Sequence, residues 1–283
     1  MGAIDGGDRM TPFVWNSSLP RSGSTLLQNL AAQCPTNHVT STSGLAELIV
    51  GVRNRWVDIK EFQSQGVNEC AKSMASAMRG LLTGYYAPQL ADGKTIWDKS
   101  RGWVGYARLL DEIFGERQKI VVCVRDVREI VTSFEMLWRQ NQITRKDGIG
   151  PALVEGVTIE GRVHHLLALD AVVGQSIAML RDCLHSDPDR LLIVPYKTLC
   201  SDPQGVMNQL HRELGLPEIT VNPESVEQST YENDSAWGFQ DMHSVRPKVS
   251  AKSDRWPELL PPRLAACIED EYRDINQLAA GVC

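Results

Sequence analysis

Short apolar runs alternate with longer stretches of helical periodicity along this chain, the pattern of an α/β fold. Phe13-Val14-Trp15 is aromatic and β-branched and predicts a first strand. A polar turn, Ser17–Thr25, follows it, and Leu26–Ala32 resumes as an apolar helix. Cys34–Thr42 is polar and reads as a loop. Over Leu45–Trp56, Leu45, Leu48, Ile49 and Val52 fall at helical spacing and are expected to pack inward, while Glu47 lies off that stripe. Residues 67–86 predict a second amphipathic helix whose Met74 and Met78 fill core gaps. Thr95–Asp98 predicts a short strand and Val104–Phe114 a helix. Lys119–Val124 is a nearly continuous apolar run, as a strand buried on both faces of a parallel sheet requires. Helical spacing returns at Ile130, Val131, Phe134, Leu137 and Trp138. Residues 140–158 read as a long polar loop, 159–185 as one helix, Leu191–Val194 as a buried strand, Pro203–Leu214 as a helix ended by Gly215, and 262–278 as a last amphipathic helix. The expectation is a single α/β domain over 1–283, a central parallel sheet flanked by helices, with 1–12 as a flexible N-terminus.

Composition narrows the classes. A hydrophobic content of 42% over 283 residues suits one large soluble domain. The formal charge of −6 argues against a general nucleic-acid binder, so an anionic ligand needs a local cluster of cations. The seven cysteines are odd in number and lack CxxC spacing, which points to reduced thiols, a cytoplasmic protein and no zinc site. No targeting segment or membrane-length apolar run is read.

The turn after the first strand carries the chemistry. Strand, Ser17-Ser18-Leu19-Pro20-Arg21-Ser22-Gly23-Ser24-Thr25, then helix is the arrangement of a phosphate-binding loop. Gly23 permits close backbone approach, Ser22, Ser24 and Thr25 add hydroxyl donors, and Arg21 adds charge. Ser24 stands where a Walker Lys would, so the loop is a poor nucleotide-kinase match. Ligands of open α/β sheets bind beyond the carboxyl ends of strands, and three such ends carry cations here: Arg21, Lys99 with Arg101, and Arg125. The polar segment 222–257 holds Trp237, His243, Arg246, Lys248, Lys252, Arg255 and Trp256, and reads as a connector or a lid over an anion. His164 and His165 are read as structural or surface residues.

These motifs resemble the PAPS-dependent sulfotransferase family, which has a P-loop-like fold. SSLPRSGSTLL is similar to the family's 5′-phosphosulfate loop. VVCVRDVREIVTSF is similar to its 3′-phosphate-binding strand and helix, with Ser133 two helical turns beyond Arg125. DKSRGW at 98–103 resembles the Lys-bearing segment of the tyrosylprotein branch, and IVPYKTLCSDPQGVM at 193–207 the junction that brings a Tyr, here Tyr196, near the cofactor. DRWPELLPP at 254–262 places Arg255 where that branch has a Lys. The resemblance implies PAPS as donor, no metal requirement, and a cofactor set of Pro20, Arg21, Ser22, Gly23, Ser24, Thr25, Arg125, Ser133, Tyr196 and Arg255. Arg21 and Lys99 would stabilise the transferring group. The base implied by the tyrosylprotein and heparan branches is a Glu soon after the first helix, here Glu47, with Asp98, His38 and His243 in reserve. The acceptor is expected to be an alcohol, small-molecule or glycan-like, and oligomeric state is left open. A P-loop-like nucleotide kinase and a non-catalytic nucleotide-binding protein stand as alternatives.

Overall fold

Strand β4 (Ile120–Val124) is apolar at every position because both of its faces are covered. Ile120, Val122 and Val124 enter one core and Val121 and Cys123 the other. Strand β1 (Phe13–Asn16) divides in the same way, Phe13 and Trp15 to one side and Val14 to the other. A computed structural model describes residues 12–144, 156–250 and 253–282. With β2 (Asn37–Thr42), β3 (Thr95–Lys99) and β5 (Leu191–Pro195), these strands form a parallel sheet in the order β2-β3-β1-β4-β5. All five carboxyl ends therefore open onto one edge, with β1 at its centre.

The helices are α1 (Ser24–Ala31), α2 (Leu45–Asp58), α3 (Lys60–Gln65), α4 (Val67–Tyr85), α5 (Ala87–Ala91), α6 (Ala107–Phe114) and α7 (Val127–Thr144) in the first half. The second half adds α8 (Ile159–Leu167), α9 (Val172–Ser186), α10 (Tyr196–Ser201), α11 (Pro203–Glu213), α12 (Trp256–Leu259), α13 (Pro262–Glu271) and α14 (Arg273–Ala279). Apolar residues of α1, α10 and α11 cover one face, and those of α2, α4, α6, α7, α9, α13 and α14 cover the other.

Several local expectations are corrected. The polar run NHVTST is strand β2, not loop: it pairs with β3 at the edge, where half-buried Thr and Val fit a pleated surface and polar residues are tolerated. Leu48 is exposed rather than packed, since Leu45, Ala46 and Ile49 take the inner face of α2. The predicted loop 140–158 begins inside α7, which runs to Thr144; residues 145–155 lie outside the described residues, as do 1–11 of the expected flexible N-terminus. The single helix expected over 159–185 is two, α8 and α9. Their join folds back so closely that a Cβ on Gly174 would lie 2.2 Å from the Ala168 carbonyl oxygen, which only glycine allows. The stretch Ile159–Ser186 has the length and hydropathy, 1.4, of a membrane span, contrary to expectation. Here it is broken in two, and Val163, Leu166, Val173, Ile177 and Leu180 are buried in the protein core. The last helix is likewise divided, at Tyr272.

A buried ion pair ties α7 to α8. Glu135, 1% exposed, accepts from Arg162 Nε at 2.8 Å and Nη2 at 2.7 Å, and Arg162 lies 3.8 Å over the Trp138 ring. Arg139 reaches the same carboxylate from the surface at 2.6 Å. Burial pushes the Glu135 carboxyl up, but its two arginines outweigh this and hold it below the usual range. Arg162→Ala strands a buried charge and should cost about 3–5 kcal/mol in urea unfolding, whereas Arg139→Ala, half-exposed, should cost less than about 1 kcal/mol.

Candidate active site

The loop between β1 and α1 is held by its hydroxyls, which bond mainly to the backbone of the flanking segments. Ser18 Oγ donates to Asn16 Oδ1 at 2.6 Å and accepts from the Cys123 amide at 2.8 Å. Ser17 Oγ donates to the Arg101 carbonyl at 2.8 Å and accepts from the Val104 amide at 2.9 Å. Ser22 Oγ lies within bonding distance of the Leu19 and Cys123 carbonyls, at 2.5 and 2.8 Å. Arg21 and Gly23 both take positive φ, 57° and 99°, and this double turn aims the start of α1 at the edge of the sheet. Gly23 has no side-chain cap, so the first amides of α1 are left without backbone partners among the described residues. A Cβ on Gly23 would come within 2.7 Å of the Tyr196 ring.

A cavity of about 510 Å³ opens over this loop. Pro20, Arg21, Gly23, Ser24, Thr25, Lys99, Arg125, Ser133, Tyr196 and Arg255 all line it, so most of the site residues expected from sequence meet at one place. Arg21 Nε donates to Ser133 Oγ at 3.0 Å, and its Nη1 donates to the Met242 carbonyl. Arg125 donates to the Arg21 carbonyl at 3.1 Å and to Glu129 at 2.8 Å, with its guanidinium 4.5 Å over the Tyr196 ring. Glu129 also accepts from the Arg255 amide at 2.7 Å, which holds the 222–257 segment to α7. Thr132, buried in the same wall, has a hydroxyl with no partner among the described residues. Burial, and then the neighbouring Arg125, lower the Arg21 pKa from its ordinary value. An acidic chain thus concentrates cations at one edge of its sheet.

Four expectations are corrected. Ser22 lines no part of the cavity; its hydroxyl is buried against two carbonyls and serves the loop. Glu47 is exposed on the outer face of α2, because helical period turns it away from the buried Leu45 and Ile49, and it does not line the cavity. Asp98, a reserve base, is buried and accepts from Trp103 Nε1 at 2.7 Å and from the Tyr86 hydroxyl. Its burial pushes the carboxyl upward against these bonds. His38, another reserve, packs edge-on against Tyr86 on β2, away from the cavity.

The fourth candidate base, His243, lies in the cavity wall and is backed by Asp234 and Glu232, which the sequence did not single out. Its Nδ1 is 2.5 Å from Asp234 Oδ1 and 3.3 Å from Glu232 Oε2. Glu232 Oε1 accepts from Lys99 Nζ, from the Thr42 amide and from Thr42 Oγ1, each at 2.8 Å. Burial, then Lys99, lower the His243 pKa against the pull of Asp234 and Glu232. Burial pushes the Glu232 carboxyl up, but Lys99 outweighs it and holds the group below its usual range, while burial lowers Lys99 itself. Glu232, Asp234 and His243 could converge on a cation, a grouping absent from the sequence reading; the Lys99 ammonium already stands on Glu232. The acidic residues scattered among the basic ones of 222–257 were the available signal, but nothing local shows that this segment crosses the strand ends.

The sulfotransferase family model matches residues 14–220. No curated protein matches the sequence. Among solved structures, a sulfotransferase from Alicyclobacillus acidocaldarius is 14% identical, the match covering 95% of this chain and 94% of that one, with a TM-score of 0.50; at this identity the likeness concerns the fold. A sulfotransferase from Mycobacterium avium is 14% identical over 92% of this chain and 76% of that one, TM-score 0.49. The sulfotransferase domain from the curacin biosynthetic pathway is 18% identical over 95% and 92%, TM-score 0.46.

Gly23→Ala should destabilise the protein by about 1–3 kcal/mol in chemical denaturation, from a strained φ and the clash with Tyr196. Adding Tyr196→Leu should restore only part of that loss, because the backbone term stays.

Proposed function

The chain belongs to the sulfotransferase family, and on that premise we propose that it transfers a sulfuryl group from PAPS to an acceptor hydroxyl. The observation that carries this reading is the order of groups along the sheet edge: Tyr196 after β5, Arg125 after β4, the anion loop after β1, and Lys99 at the end of β3. PAPS has two anionic ends a nucleoside apart, and two groups of donors on this edge suit them. Arg125 and Ser133 would hold the 3′-phosphate, with Tyr196 and Arg255 beside them, through charge-assisted bonds. The free amides of α1, with Ser24 and Thr25, would hold the 5′-phosphate.

Lys99 and Arg21 would stabilise the charge that develops on the oxygen between phosphorus and sulfur as the S–O bond breaks. A sulfuryl group is less highly charged than a phosphoryl group, so side-chain cations suit the task. His243 is our choice of base. With two carboxylates at Nδ1, that nitrogen carries the proton and Nε2 keeps its lone pair. The acceptor proton would pass to Nε2 as the acceptor oxygen bonds to sulfur, and Asp234 would stabilise the resulting imidazolium.

The product nucleotide PAP should bind in EDTA by calorimetry, and Arg125→Ala should weaken it by about 1.5–3 kcal/mol. No binding of PAP by the wild type would overturn the proposal. The proposed base also sets a pH dependence. Its pKa is lowered, so the active neutral imidazole persists below the ordinary histidine value of about 6.5. Accordingly kcat/KM should be level near neutrality and fall as pH drops through that lowered value, and His243→Asn should abolish this acidic limb together with most of the turnover.

A further inference from the structure

Resting on the sulfotransfer reading, the inference concerns the acceptor. If the nucleotide lies over β5, β4 and the loop after β1, the acceptor must approach Lys99 from the remaining side, above the ends of β3 and β2. The cation on that side is Arg101. Its backbone is pinned to the anion loop, since Ser17 Oγ donates to its carbonyl at 2.8 Å, and its side chain lines the cavity. The guanidinium lies 5.7 Å from the centre of the Trp237 ring, which sits beneath it.

Unlike Arg21, Arg125 and Lys99, Arg101 has no acceptor for its N–H groups among the described residues. Arg21 bonds Ser133 and the Met242 carbonyl, Arg125 bonds Glu129 and the Arg21 carbonyl, and Lys99 bonds Glu232. No hydrogen bond or ion pair engages the Arg101 guanidinium among the described residues. Glu232 attracts it from a distance, but both oxygens of that carboxylate are held by Lys99, Thr42 and His243. A partly buried guanidinium with five donors and no acceptor is costly unless a ligand supplies one. The fork geometry of the group matches a planar carboxylate, or the oxygens of a phosphate or sulfate.

We propose that the acceptor bears an oxyanion besides the hydroxyl that is sulfated, and that Arg101 is the specificity residue that binds it. The hydroxyl then faces Lys99 and His243 while the anion is held over β3. A neutral alcohol of the same shape would leave Arg101 without a partner, and discrimination against it follows from that unmet group.

The probes are paired hydroxy acids and their amides, aromatic and aliphatic, with phosphorylated and sulfated alcohols as further arms. Each is titrated into PAP-saturated protein and then assayed for sulfation with PAPS. At least one charged member should bind and react tenfold or more better than its neutral partner, and Arg101→Gln should erase that ratio while PAP affinity stays within about threefold of wild type. The arm that responds, carboxylate, phosphate or sulfate, identifies the oxyanion. No preference for any charged member in protein that binds PAP would overturn this inference and leave the sulfotransfer reading standing. Loss of PAP affinity in Arg101→Gln equal to the loss of turnover would also overturn it, because Arg101 would then belong to the donor site. Absence of PAP binding in the wild type would instead remove the reading on which it rests.

Discussion

The loop after β1 leaves the first amides of α1 without backbone partners among the described residues, so its shape must be held from the flanking segments. Three serines do this. Ser17 is bonded into the turn after β3, while Ser18 and Ser22 are bonded to Cys123 of β4, so both strands that flank β1 hold the loop in place. Buried backbone groups left unpaired are costly, and these hydroxyls give partners to the backbone of Leu19, Arg101, Val104 and Cys123. The two positive φ values and the absence of an N-cap side chain belong to the same arrangement. Everything proposed about catalysis depends on that geometry surviving without a ligand.

The second constraint is charge. Cations gathered at one sheet edge repel one another and lose hydration, and the segment after β5 answers both by crossing back over the strand ends. Glu232 takes Lys99, the Met242 carbonyl takes Arg21, and Glu129 on α7 takes both Arg125 and the backbone at Arg255. One carboxylate is thereby linked to Lys99 on one oxygen and to His243 on the other. The Lys99 ammonium and the His243 imidazole, to which we assign charge stabilisation and proton acceptance, thus stand beside one carboxylate. Arg101 stands outside this pairing, and on that ground we assign it to the acceptor.

The features legible along the chain are those whose cause is local. The apolar run of β4, the Phe13-Val14-Trp15 strand, the Ser- and Gly-bearing turn and the eight-residue step from Arg125 to Ser133 each follow from period or spacing within one segment. The structure brings these segments to one edge as a parallel sheet requires, and the family match extends over them.

What lay beyond reach was decided by contacts between distant segments. NHVTST is a strand only because β3 lends it hydrogen-bond partners, which its own polarity does not announce. Glu47 and Glu232 are equally acidic in sequence; helix rotation sends the first to solvent, while the second is carried 133 residues along the chain to Lys99. Asp98 and Lys99 are adjacent, yet the pleat turns one inward to Trp103 and Tyr86 and the other to the cavity. Residue type and spacing thus determined the sheet, the turn after β1 and the cations at the strand ends, because short-range sterics and hydrophobic period are written in neighbouring positions. Which carboxylates and which histidine face those cations was decided by tertiary packing alone, since burial and electrostatic pairing are properties of residues that meet only after the chain has folded.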